Sequence, residues 1–215
     1  MNQIDENLLK VSSIILLSGG LIFWFGAFFP PYKQWTTSDL KEYLLIIDSH
    51  RINWYIIHAS FLLGVILTIF GTHLLSQTLL AAGANRIFAN LLFSSYLAGS
   101  IFWILNIAFR VTVTTWYAGK FAEQDALFDM FKSMNDWTNL IFSVYMVLAY
   151  FAIGCMGMAL LGLTMLPRWV DWFCIVMGFF GVFAFILRIP LWAPPLMVHL
   201  PFMVTGIFIL IKLKH

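Results

Sequence analysis

The chain has 215 residues, 61% of them hydrophobic and only 10% charged, with a mean hydropathy of +0.89. That much apolar surface exceeds what one water-soluble core can hide, so the solvent for most of the chain is a bilayer. A formal net charge of +2, with the Lys and Arg residues spread singly, excludes a nucleic-acid surface. Cys155 and Cys174 both fall inside apolar runs, which excludes a disulfide framework and assigns both to packing.

In chain order, a short polar head precedes a first apolar run over 11–29, long enough to span a membrane and followed by no small-residue cleavage site. Pro30 and Pro31 stop it, because proline lacks the amide hydrogen and disfavours helix in the residue before it. Ser38 to Asp48 reads as a short amphipathic helix lying at the membrane surface or against the bundle, with Ser38 and Asp39 as cap residues. A second span covers 54–80 and carries His58 and His73. A third covers 88–110 and ends in Asn106 and Arg110, four residues apart on one helical face.

The long connection from Val111 to Asp136 contains a second amphipathic segment. There Phe121, Leu127, Phe128 and Phe131 share one side while Glu123, Asp125 and Asp129 face water. The fourth and fifth spans, 137–163 and 169–187, form a tight hairpin in which Gly154, Gly157 and Gly162 face Gly178 and Gly181, small residues that let backbones approach. The sixth, 196–213, ends in Lys212 and Lys214, which can snorkel to the interface. Trp24, Trp54, Trp103, Trp116, Trp137, Trp169, Trp172 and Trp192 supply an interfacial belt, with Trp103 the exception because it lies within a span. The expected fold is therefore all-α: one polytopic membrane domain over 1–215, with six transmembrane helices and two short interfacial helices on the long-loop side.

Both termini share a side in that plan. The compact loops holding Arg86 and Arg168 place that side in the cytoplasm, although counting Lys and Arg over all the loops does not separate the two faces.

Chemistry-bearing residues gather toward the long-loop side. His58 and His199 each lie about one turn, roughly 6 Å, inside their spans. Arg110 and Arg188 lie at helix ends, with Asn106 a turn deeper and Asn139 nearby. Ionisable groups at membrane depth face a protein interior or a water-filled cavity. His58, Asn106, Arg110, Asn139, Arg188 and His199 are thus the candidate ligand-binding set, and the proline-rich stretch from Arg188 to His199 shapes the mouth. Each also has a structural alternative: the arginines as head-group anchors, the asparagines as interhelical glue, the histidines as bonded core residues, and His73 as a helix-end residue.

The chemistries divide unevenly. His58 and His199 are the one pair that suits a single bis-histidine b-type haem. No HExxH or comparable cluster points to a metal, and no Gly-x-Ser-x-Gly motif or Cys-His neighbourhood points to a nucleophile, so no catalytic residue is assigned. Arginine and histidine together suit an anionic head group, a carboxylate or a quinone carbonyl. Three readings stand: a protein binding a lipid-like or anionic small ligand, with a role in transport or sensing; a haem- or quinone-binding redox subunit; and a membrane anchor or scaffold whose aromatic surfaces hold lipids, a second copy or a larger complex.

The six-span plan, the Leu166-Pro-Arg-Trp-Val-Asp-Trp172 turn and the run from His58 to Gly64 resemble a bacterial family of small integral membrane proteins of unknown function. The resemblance implies a six-helix fold in the bacterial cytoplasmic, or inner, membrane, and it transfers no catalytic residue.

Overall fold

The computed structural model describes residues 6–31, 33–120, 125–163, 165–189 and 194–214. Phe121 and Glu123 of the second amphipathic segment, Trp192 of the belt and positions 190–193 of the proline-rich stretch lie outside these. Among the described residues the regular structure is helical. We number the helices α1 (Glu6–Ala27), α2 (Leu40–Ser49), α3 (Arg51–Ala81), α4 (Arg86–Ala118), α5 (Asp125–Leu161), α6 (Arg168–Ile186) and α7 (Leu196–Lys212). The helices α1, α3, α4, α5 and α6 are each long and apolar enough to cross a membrane, and α7 is a shorter apolar helix.

Successive membrane-length helices pack on one another, α1 on α3, α3 on α4, α4 on α5 and α5 on α6, while α7 returns to lie on α1. Glycine sets how closely they meet. A Cβ at Gly64 would stand 2.8 Å from the Gly19 carbonyl of α1, and one at Gly178 would strike the Gly154 backbone of α5. The α5–α6 hairpin expected from sequence is thus closed by Gly154, Gly157, Gly178 and Gly181, whereas Gly162 sits in the connecting turn with nothing near it. Buried hydroxyls are absorbed within the bundle: Ser12, Ser13, Thr68 and Ser100 each donate to a carbonyl one turn earlier.

Two boundaries differ from the sequence reading. The second amphipathic segment and the fourth span are one continuous helix, α5, because neither glycine nor proline occurs where they join, between 125 and 153, and Asn135 is held by a neighbouring side chain. The second span likewise begins at Arg51, right after α2, so α3 runs outward past Trp54.

These extensions create a step. Gly26, near the end of α1, packs on Ile57 and Ser60; Phe185, near the end of α6, reaches Phe142; and Leu196, the first residue of α7, accepts a hydrogen bond from Trp24. So α1, α6 and α7 stop where α3, α4 and α5 run on. The overhang has its own core, in which Leu44, Ile47, Trp54, Phe109, Tyr117 and Phe131 join α2 to the outer ends of the other helices. A larger cluster fills the bundle below.

The connections show how backbone conformation ends a helix. After α3 the amides of Gly83 and Ala84 bond back to Leu80 and Leu79, with Gly83 at φ 87°. After α6 the amides of Arg188 and Ile189 make the same two bonds to Phe185 and Ala184, with Arg188 at φ 56°. Both are Schellman caps, and the second places an arginine where glycine is normal.

Candidate functional site

A cavity of about 630 Å³ occupies the step. Its inner walls are Trp54, His58 and Phe61 of α3, Trp103, Asn106 and Arg110 of α4, and Asn135, Asn139 and Phe142 of α5. Ala27, Pro194, Pro195 and Leu196 form the low wall where the short helices stop, and Gln34, Trp35 and residues 37–40 with Tyr43 of α2 lie across it.

Arg110 is the centre of the polar wall. It opens a π-helical turn, Arg110–Thr114, and its carbonyl accepts from the Trp54 indole at 3.0 Å and the Thr115 hydroxyl at 3.4 Å. Such a bulge widens the helix by one residue per turn and recurs at functional sites. The guanidinium is aimed by neutral acceptors: Nη1 donates to Tyr43 Oη at 3.1 Å and Asn135 Oδ1 at 2.6 Å, and Nη2 to Asn139 Oδ1 at 2.8 Å. It forms no ion pair among the described residues. Of its five N–H groups, Nε–H and one on Nη2 remain for a ligand. The one carboxylate in the lining, Asp39, caps α2 by accepting from the Lys41 amide at 2.8 Å. Tyr43, packed against Trp54 and beside Arg110, has its hydroxyl shielded from water; this pushes its pKa above the ordinary tyrosine value, and the arginine's charge opposes the rise.

His58 donates from Nδ1 to the Trp54 carbonyl at 2.8 Å and stacks within 4.0 Å of that residue's ring. That bond leaves Nε2 of the neutral ring as an acceptor. Asn106 donates to the Thr138 carbonyl at 2.9 Å and so ties α4 to α5 at the cavity wall. Two buried donors in the lining have no partner among the described residues, Trp103 Nε1 and Gln34 Nε2, on residues 5% and 4% exposed. Below them Phe61, Trp103 and Phe142 make an aromatic floor, with Phe23 beneath.

Of the six residues expected at a site, the structure brings His58, Asn106, Arg110 and Asn139 to this cavity and leaves Arg188 and His199 outside its lining. Arg188 is exposed at the end of α6. His199 is fully buried beside Thr68, which lies ten residues beyond His58 on α3, or about 15 Å along the helix. The matching depths inferred from sequence fail because α3 starts well outside the level at which α7 begins. The rings of Phe23 and Phe61 stand between the two histidines, with Phe23 stacked on His199 at 4.0 Å and on Phe61 at 4.6 Å. The pair therefore does not face a common haem position. Trp54 and Trp103 are buried rather than part of an exposed belt, while Trp116, Trp137, Trp169 and Trp172 are exposed. His73 is exposed against Phe93.

Sequence reasoning missed Gln34, Tyr43 and Asn135. Asn135 precedes Asn139 by one helical turn, a spacing that marks it once α5 is known to be continuous. Gln34 lies in an irregular connection and carries no such signal.

The helix lengths and composition define a multi-pass helical membrane protein with a polar-headed, aromatic-floored cavity. No family model, curated protein or solved structure matches the chain.

Proposed function

We propose that this is a six-span protein of the bacterial cytoplasmic membrane, both termini inside, whose cavity binds an amphipathic ligand with an anionic head, in transport or sensing. What supports the ligand class is one observation: Arg110 is held in place entirely by neutral acceptors, with two N–H groups left over, directly above an apolar floor. A carboxylate or phosphate accepts that pair of N–H groups. Trp103 and Gln34 offer further donors, and an acyl or isoprenoid chain suits Phe61, Trp103 and Phe142. The low wall at Ala27 and Leu196 opens toward the level where a lipid leaflet meets water, so membrane lipids are the natural source. For the sixth span, α7 at 17 residues is only slightly shorter than α6 at 19, and a start at the step leaves it about 25 Å of rise.

The test uses a dansyl-labelled fatty acid and its alcohol analogue, read by energy transfer from the cavity tryptophans in nanodiscs. Arg110→Ala should weaken the carboxylate probe about 10- to 100-fold, the range expected on losing a charge-assisted bond, and leave the alcohol unchanged. Equal binding of both probes to both proteins defeats the reading.

A further inference from the structure

The wall that α3 and α4 give the cavity is layered, and its middle layer lacks a partner. The two helices run in opposite directions. They are tied at the outer level by the Trp54 indole on the Arg110 carbonyl, 3.0 Å, and at the inner level by the rings of Phe61 and Trp103, 5.8 Å apart. Between these ties lie His58, four residues inward of Trp54, and Asn106, four residues inward of Arg110; each step is about 6 Å along its helix. All six residues line the cavity. Going inward, the wall presents a cation, then an imidazole and a carboxamide, then aromatic rings.

A backbone carbonyl orients each member of the middle layer. His58 Nδ1 donates to the Trp54 carbonyl at 2.8 Å, and Asn106 Nδ2 to the Thr138 carbonyl at 2.9 Å. A carbonyl can only accept, so what each side chain has left is an acceptor: Nε2 of the neutral imidazole and Oδ1 of the amide. Neither atom takes a hydrogen bond from a described residue. Neither is sealed into the packing as His199 Nε2 is, although both residues are buried. An anion placed against these two lone-pair atoms would be repelled, and a saturated chain passing them brings no hydrogen. The middle layer calls for a donor.

We propose that the ligand carries a hydroxyl close to its anionic end, as a 3-hydroxy fatty acid does, with the carboxylate on Arg110 and the hydroxyl donating to His58 Nε2 or Asn106 Oδ1. This rests on the anionic-headed ligand proposed above and narrows it to one substrate class. The two groups are near enough for one short head to meet both layers. Arg110 Nη2 reaches inward to Asn139 Oδ1 at 2.8 Å, and Asn139 follows Thr138, whose carbonyl holds Asn106. A site built to bond a ligand hydroxyl rejects the analogue that lacks it, because its own polar groups are then left unpaired.

Three dansyl-labelled acids of one chain length test it: the 3-hydroxy acid, the unsubstituted acid and the 10-hydroxy acid, each titrated into the full-length protein in nanodiscs and read by energy transfer from tryptophan. The wild-type protein should bind the 3-hydroxy acid about 10-fold tighter than the unsubstituted one. The 10-hydroxy acid, whose hydroxyl falls on the aromatic rings, should bind no tighter than the unsubstituted acid. The double variant His58→Phe with Asn106→Leu should lose the preference. Equal binding of the 3-hydroxy and unsubstituted acids to the wild type, an equal gain from either hydroxyl, or a preference that survives in the double variant overturns the inference; the first two comparisons need no variant to fold. Arg110→Ala separates this inference from the reading beneath it, since it should weaken all three acids alike. If it does so while the wild type ignores the hydroxyl, only the hydroxyl falls; if it weakens none, the anionic head falls and the hydroxyl with it.

Discussion

The bundle and the overhang are built on opposite principles. Within the bundle, helices close on glycine and small hydroxyl residues, as at Gly19 with Gly64 and Gly154 with Gly178, because lipid offers no hydrophobic drive between helices and close packing must supply the attraction. In the overhang the contacts are large and aromatic, with Trp54, Tyr117 and Phe131 packed under α2, as in a small water-soluble core. The cavity lies at the seam, so it takes its floor from the first and its charged, hydrogen-bonded wall from the second. A ligand that is apolar at one end and anionic at the other matches that junction.

The comparison is most sharply tested in the overhang core. Phe131→Ala removes its central ring and should cost about 3–5 kcal/mol. Hydrogen exchange should quicken across 40–49 and 115–118 while the amides of α1 and α7 stay protected; uniform loss of protection would mean that the two regions are one cooperative unit. In the bundle, Gly178→Ala forces a methyl against the Gly154 backbone and should cost about 3 kcal/mol, or roughly 6–12 °C in melting temperature for a chain of this size. A neutral result there would break the claim that glycine closes α5 on α6.

Arg188→Gly works in the opposite direction. It relieves an arginine held in the left-handed region and should raise stability by about 1 kcal/mol, measured by thermal melting in detergent. A loss instead would show that the Arg188 side chain does something that outweighs its backbone strain.

The smallest effects come with pH, at two groups on α2. Glu42 accepts hydrogen bonds from Lys33 and Thr37, which hold its carboxyl below the ordinary glutamate value. A lowered folded pKa gives stability that is present above the unfolded value, near 4.5, and lost as the pH falls through the folded one. Tyr43 runs the other way: its raised pKa leaves stability intact below the ordinary tyrosine value, about 10, and erodes it above. Circular dichroism paired with tryptophan fluorescence from pH 3 to 11 should show the environment of Trp35 and Trp54 changing at both extremes before helix content falls.

Much of this was legible in the sequence because it is local. Composition and run length identify a membrane protein, Pro30 and Pro31 end α1, Asp39 caps α2 as expected, and Gly83 announces its turn. Asn106 and Arg110 share a face because four residues make about one helical turn. What only the tertiary structure decided is which of these polar residues meet. That depends on how far each helix runs past its neighbours, and no helix encodes its neighbour's length. The continuity of α5 brought Asn135 and Asn139 to Arg110, the low start of α7 carried His199 below the floor, and a left-handed cap at Arg188 turned the chain where the sequence shows no glycine. Depth in a membrane protein is a property of packed helices relative to one another, and for that reason His58, Asn106, Arg110 and Asn139 could be named from sequence while Gln34, Tyr43 and Asn135 beside them could not.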